Sequence, residues 1–233
     1  MGSIIATCIK SVDGEFFKCY KCDLRCVRNG STKLGKQRFR CKRCGKSYLK
    51  EYTNKAFHCQ LNEWICTLLK EGCGIRSISR LLQIAVATVI KRIKSIAGMI
   101  QKPPVVLGKR FQLDEIRTFI KRKDNLIWIA YAIEKDTRKV VDFSVGKRTN
   151  KTLKSVVKTL VLSQAKTIST DRLNNYKYLI PRKIHRTKVY GINHIERMNL
   201  NIRTHLKRLN RRTICYSRSI VMLSACLKIY FWS

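Results

Sequence analysis

The sequence predicts a multidomain α+β protein, and three observations carry that expectation. Two Cys-x-x-Cys pairs lie in a Cys-, Lys- and Gly-rich opening stretch, residues 15–50. Residues 58–98 repeat their apolar side chains with a helical period. Residues 111–233 alternate strand-like and helix-like runs, as an α/β or α+β unit does. Between them, residues 99–110 carry Pro103-Pro104 and Gly108 and read as a linker. At 233 residues, 45% hydrophobic with three prolines, the chain is long and apolar enough to fold and to form more than one module.

In the first segment, Cys19-x-x-Cys22 and Cys41-x-x-Cys44 are separated by 18 residues, the spacing of a structural zinc site. Each pair turns two thiolates toward one ion, and four thiolates complete the tetrahedron that Zn²⁺ takes. The intervening residues, Asn29 to Arg40, read as a hairpin-like ribbon, with Arg38 and Arg40 as candidate DNA contacts. A segment this small has little apolar core, so zinc would supply its folding energy. Cys26 is a nearby alternative ligand. Cys8, Cys59, Cys66, Cys73, Cys215 and Cys226 lack ligand spacing and read as small apolar packers.

In the second segment, a helix over Leu61–Lys70 ends at Gly72 and Gly74. Ile75, Ile78, Leu81 and Leu82 mark a second helix; Val86, Val89, Ile90, Ile93 and Ala97 mark a third. A tight turn at Gln83-Ile84 makes the last two a helix-turn-helix, with Thr88, Lys91, Arg92 and Lys94 facing solvent for groove and phosphate contacts. An ordinary helical hairpin is the competing reading. Gln83 stands where such turns often have Gly, and Ala85 where Ser or Thr would cap the next helix.

Fifty Lys and Arg against 14 Asp and Glu give a net charge of +36. So much uncompensated charge points to a polyanionic partner, whose phosphates relieve self-repulsion. Ribosomal and membrane-surface proteins share that property. The start, Met1 to Lys10, has no basic region before its short apolar run, and no stretch is long enough to span a bilayer. The expectation is a cytoplasmic protein that keeps its eleven cysteines out of disulfides.

In the third segment, strands are expected near 111–119, 126–134, 139–145 and 167–170, with helices at 150–162 and from about 193. Three antiparallel strands, a helix and another strand are the order of an RNase H-like fold. After Asp142 only Asp171 and Glu196 are acidic, among 20 Lys and Arg. With Asp114 on the first strand, they form a candidate carboxylate triad for two Mg²⁺ ions and phosphoryl transfer. Each has a plainer reading. Glu115 competes with Asp114, Asp171 suits a strand-end turn, and Glu196 suits a helix N-terminus.

Those motifs, in that order, resemble a transposase of the IS1 insertion-sequence family over nearly the whole chain. The resemblance rests on Val27-Arg-Asn-Gly30, Gln37 to Cys41, Gly74 to Leu82, Leu113-Asp-Glu115, Thr170-Asp171, and most specifically His194 to Arg218. It implies a zinc ribbon and helix-turn-helix for terminal-repeat binding, joined to a DDE-type RNase H-like catalytic domain at 111–233. Asp114, Asp171 and Glu196 would hold Mg²⁺ or Mn²⁺, with 56 residues between the first pair and 24 between the second. Arg197, Arg203, Lys207 and Arg211 would grip the DNA backbone. Double-stranded DNA, at element ends and target, is the implied partner, with a homo-oligomer assembled on it. Arg172 departs from the family, which often has Gly there, and the end at Phe231-Trp-Ser233 raises the expectation of a shortened copy. The alternative function is a catalytically inactive DNA-binding protein, a decayed copy or a repressor of transposition.

Overall fold

The computed structural model describes residues 10–12, 16–19, 21–49, 52–58, 60–171, 173–187 and 193–233. The chain divides into two compact units, Met1–Thr67 with Ile75–Arg92, and Leu68–Gly74 with Ile93–Ser233. Cys8, Cys59 and Arg172, singled out above, lie outside the described residues.

In the first unit, β1 (Lys10–Val12) pairs antiparallel with β2 (Phe16–Lys18). Strands β3 (Cys26–Ser31), β4 (Gln37–Cys41) and β5 (Ser47–Leu49) form a three-stranded antiparallel meander. Period-two alternation on β4 buries Phe39 and Cys41 and leaves Arg38 and Arg40 in solvent. The core is small: Cys19, Cys26, Phe39, Cys41 and Tyr48, with the Phe17 ring 4.3 Å from that of Phe39.

Helices α1 (Leu61–Lys70), α2 (Ile75–Leu82) and α3 (Val86–Met99) follow. Gly72, at φ +80°, terminates α1 in the left-handed conformation, with Cys73 N–H bonded back to Leu68 O. Gln83 takes φ +53° between α2 and α3. That is the conformation glycine adopts most easily, so the missing Gly is replaced by a strained side chain rather than by a different turn. The Ser79 hydroxyl donates to Ile84 O at 2.6 Å and the Ile84 N–H to Ser79 O at 3.1 Å, which closes the turn. On α3, Val89, Ile93, Ile96 and Ala97 are buried and make one helical stripe.

In the second unit, residues 100–109 contain no helix or strand before the sheet begins. Strands β6 (Arg110–Phe119), β7 (Leu126–Glu134) and β8 (Val140–Gly146) form an antiparallel meander. Helix α4 (Asn150–Leu162) then crosses over to β9 (Thr167–Thr170), which lies parallel to β6. After α5 (Asn174–Leu179), β10 (His185–Thr187) adds parallel to β9. The spatial order is β10-β9-β6-β7-β8.

Both faces of this sheet are covered. On one, Leu153, Val156, Val157 and Leu160 of α4 pack with Phe111, Leu113, Ala130, Ala132 and Ile168. The other bears α6 (Asn193–His205) and α7 (Ile220–Trp232). Phe231 lies 6.0 Å from Tyr131 and 5.5 Å from Phe143, and the Trp232 Nε1–H donates to Val140 O at 2.9 Å. Ser219 caps α7, its hydroxyl accepting from Met222 N–H at 3.2 Å. Helix α7 buries Met222, Leu223, Ala225, Cys226, Leu227 and Ile229. The final apolar run is therefore a helix sealing the sheet. No helix among the described residues is long and apolar enough to cross a membrane.

Candidate functional sites

Two tight turns build the cysteine centre. Asp23 N–H bonds to Cys19 O at 2.8 Å, and Gly45 N–H to Cys41 O at 2.9 Å. Both turns use a left-handed residue, Asp23 at φ +51° and Gly45 at φ +69°. Each turn brings its two thiols to the same side, and the ligand atoms of Cys19, Cys22, Cys41 and Cys44 all lie within 4.8 Å of one another. The Cys19 and Cys44 sulfurs are 3.6 Å apart, close to the ~3.8 Å edge of a tetrahedron with Zn–S bonds of about 2.3 Å. Among the described residues this is the one His, Cys, Asp or Glu group so converged, and Cys26 is not part of it. The donor set suits a thiophilic divalent ion such as Zn²⁺.

Its electrostatics agree. Burial opposes ionisation of Cys19, but hydrogen bonds from the Tyr48 hydroxyl and the Cys22 and Lys21 backbone outweigh it and lower this thiol to about 6. Burial and the neighbouring sulfurs instead raise Cys22 to about 12 and Cys26 to about 11. Four crowded sulfurs cannot all ionise without a cation among them. Elsewhere, Cys66 and Cys226 are buried as packers, whereas Cys215 is exposed, which corrects its sequence reading.

The carboxylates lie on the second unit. On β6, side-chain alternation separates two neighbouring acids. Glu115 shares the parity of Phe111 and Leu113 and faces α4 and α5, where it accepts from Arg148 Nε at 2.8 Å and from the Tyr176 hydroxyl at 3.2 Å. Asp114 points to the other face, where Asn199 of α6 donates to its Oδ2 at 2.6 Å and Glu115 N–H to its Oδ1 at 2.7 Å. The Tyr131 hydroxyl, 2.8 Å from Asn199 Oδ1 and 3.1 Å from Ile195 O, holds that amide in place. Burial raises the Asp114 carboxyl above the usual range, and the nearby charges of Asp171 and Glu115 add to it against the two hydrogen bonds.

Asp171 follows directly on β9. The register pairs Gln112 with Ser169; continued two residues further, it sets Asp171, just past the end of β9, beside Asp114 of β6, and the two lie close enough for the charge of Asp171 to act on Asp114. Leu173 N–H bonds to Asp171 Oδ1 at 3.1 Å. The buried Thr170 hydroxyl donates to Asp171 O at 2.9 Å and lies 2.8 Å from His185 Nε2 on β10. Glu196 sits exposed in the first turn of α6, one turn before Asn199 and two before Arg203, on one helical stripe. The structure thus brings Asp114 and Asp171 together. The three carboxylates do not form a group whose ligand atoms all lie within 4.8 Å.

Of the basic residues, Arg38, Arg40, Lys91, Lys94, Arg197, Lys207 and Arg211 are exposed, and Thr88 is half-buried. Arg92 differs from its expected solvent role, since its guanidinium donates to Ala56 O at 2.9 Å. Arg203 is half-buried and donates to Leu209 O at 3.2 Å. Asn199, Tyr131 and His185 were not singled out in the sequence, and Thr170 entered only as the motif neighbour of Asp171. The signal for Asn199 was its place three residues after Glu196, and for Thr170 its place beside Asp171.

The second unit is a mixed sheet covered by helices on both faces, and the first carries a four-cysteine cluster. The IS1 transposase family model matches residues 109–231, and the chain belongs to that family. Insertion element iso-IS1n protein InsB of Shigella dysenteriae is 34% identical over 109 residues, which is 47% of this chain and 83% of that protein. Insertion element IS1 protein InsB of Shigella flexneri is 31% identical over the same shares. Insertion element IS1 4 protein InsB of Escherichia coli (strain K12) is 30% identical, with 65% of its length covered. A chain of the simian T-cell lymphotropic virus intasome in complex with PP2A regulatory subunit B56 gamma is a loose likeness. It is 18% identical with TM-score 0.32, covering 55% of this chain and 54% of that one, too little to bear on mechanism.

Proposed function

We propose that the chain is a DDE transposase that binds the terminal repeats of its element, cleaves a strand there and joins the 3′-hydroxyl to target DNA. The observation that carries this is the nearness of Asp114 on β6 to Asp171 at the end of the parallel β9, with the Glu196 helix docked beside Asp114 through Asn199. The strand order, an antiparallel meander with a fourth strand parallel to the first and a fifth beside it, supports an RNase H-like domain.

In this reading Asp114, Asp171 and Glu196 hold Mg²⁺ or Mn²⁺, for which hard carboxylate oxygens are the fitting donors. When bound, such ions activate the attacking hydroxyl and stabilise the leaving oxygen. The chain's own residues orient the site. Asn199 and the Glu115 amide fix the Asp114 carboxylate, Thr170 and Leu173 fix Asp171, and the α6 stripe carries Glu196 and Arg203 along one side. The Cys19, Cys22, Cys41 and Cys44 centre, as a zinc ribbon, keeps Arg38 and Arg40 presented on β4. Helix α3 acts as the recognition helix of a helix-turn-helix through Thr88, Lys91 and Lys94, with Arg92 bracing the segment from within. The protein works in the cytoplasm on DNA, as an oligomer that holds two element ends.

DNA binding without chemistry has one observation in its favour, the exposed Glu196 carboxylate outside a tight cluster with the aspartates. The two readings separate in a cleavage assay on a labelled terminal-repeat duplex with Mn²⁺. Glu196→Gln should stop cleavage and leave DNA binding intact. Equal cleavage by both proteins would remove Glu196 from the site.

A further inference from the structure

The four cysteines of the first unit do not have equivalent surroundings, and strand register sets the difference. Cys26 faces Cys41 across β3 and β4, and Phe39 faces Tyr48 across β4 and β5. Phe39 and Cys41 are two residues apart on β4, so all four side chains stand on one face of the meander, where they are buried. That register carries the Tyr48 hydroxyl to 3.2 Å from the Cys19 sulfur, 29 positions away in sequence. A metal ion takes cysteine as the thiolate, which has no proton to give, so the phenol is then the donor. The Cys22 and Lys21 backbone N–H groups bond the same sulfur. Cys19 thus receives donors from the core and from its own turn, whereas Cys22 and Cys44 are half-buried and reach water.

Thiolates gathered around a divalent cation keep an excess of negative charge. Water disperses it at the partly exposed sulfurs but does not reach Cys19, which is fully buried. A buried anionic atom needs hydrogen bonds in place of hydration, and bonds to a charged acceptor are the strong ones. We propose that Tyr48 is a positioning residue of the cysteine centre, its hydroxyl donating to the Cys19 thiolate and so fixing the direction of that ligand and dispersing its charge. The choice of zinc as the ion rests on the zinc-ribbon reading. The role belongs to the hydroxyl and not to the ring, which packs in the small core beside Phe39 as a phenylalanine would.

The test is competition for Zn²⁺ between the full chain and a colorimetric chelator, comparing Tyr48→Phe with wild type. Losing the outer partner of a metal ligand typically costs about 10–100-fold in affinity, and Tyr48→Phe should weaken zinc binding by about that factor. Tyr52→Phe is the control. Its hydroxyl accepts from Leu49 N–H at 3.2 Å just after β5, so its loss should leave zinc affinity unchanged. A packing defect could weaken zinc binding without touching the sulfur, so the second readout is the Co²⁺-substituted chain. Its sulfur-to-cobalt charge-transfer absorption should move to lower energy in Tyr48→Phe, because a thiolate that has lost a hydrogen bond gives up its electrons more easily. The absorption should stay in place in Tyr52→Phe. An unmoved absorption in Tyr48→Phe would overturn the proposal whatever the affinity. So would wild-type zinc affinity in that variant, or an equal loss in Tyr52→Phe. A wild-type chain with no such absorption would sink the zinc-ribbon reading itself and this proposal with it, an outcome distinct from a failure confined to Tyr48→Phe.

Discussion

Asn199 donates a 2.6 Å hydrogen bond to Asp114 across 85 positions of sequence, and that bond ties helix α6 to the central strand of the sheet. Because Tyr131 fixes the other end of the amide, Asn199 sets the direction of the carboxylate as well as its charge. In the proposed site Asn199 stands one hydrogen bond from a metal ligand, and partners so placed typically matter by about 10–100-fold. Asn199→Ala is expected to lower single-turnover cleavage by about that factor and to leave DNA affinity unchanged. Raising the Mn²⁺ concentration should recover part of the loss, which a merely structural role would not allow.

Glu115 and Asp114 should behave as opposites. Glu115 is bound to Arg148 and Tyr176 on the α4 side of the sheet, so Glu115→Gln is expected to cost about 1–3 kcal/mol in urea unfolding and retain cleavage. Asp114→Asn should stop cleavage. Loss of activity with unchanged stability in Glu115→Gln would exchange the two assignments.

The pH dependence follows from the raised Asp114 pKa. A carboxyl raised in the folded state stabilises the fold below its unfolded pKa of about 3.9, and that contribution is lost as pH rises through the folded value. Asn does not titrate. Without divalent cations, the unfolding free energy of Asp114→Asn relative to wild type should therefore improve as pH rises above about 3.9 and level off once pH has passed the raised folded value. A difference that stays flat as pH rises from about 4 would mean that Asp114 is not shifted upward.

Zinc should control the first unit and leave the second alone. Cys22→Ser with Cys44→Ser, both at half-buried positions, removes two of four ligands while sparing the buried Cys19 and Cys41. The expected outcome is loss of bound zinc, loss of ribbon structure and weaker binding to terminal repeats. End-specific binding that survives zinc loss would separate the ribbon from recognition.

Much of the second unit was legible because its strands alternate and its helices are amphipathic. The expected segments at 111–119, 126–134, 139–145, 150–162 and 167–170 match the observed elements to within a residue or so at each end. Helix α7 escaped because it is apolar all round, which erases the helical period and leaves a featureless run. Strand β10, His185–Thr187, has three residues and no apolar pattern, so only its pairing with β9 defines it. The Asp114 versus Glu115 ambiguity was beyond reach for a similar reason. Alternation says that neighbours point to opposite faces, and only the packed helices say which face is which. The cysteine centre was readable because its spacing alone encodes the turns that converge the thiols.

The most direct test is strand cleavage and transfer on a labelled element-end duplex with Mg²⁺ or Mn²⁺, comparing wild type with Asp171→Ala. Asp171 stands beside Asp114, so metal-dependent products are expected from wild type alone, with the variant binding the duplex as tightly or more tightly. Cleavage by Asp171→Ala at the wild-type rate would contradict the account.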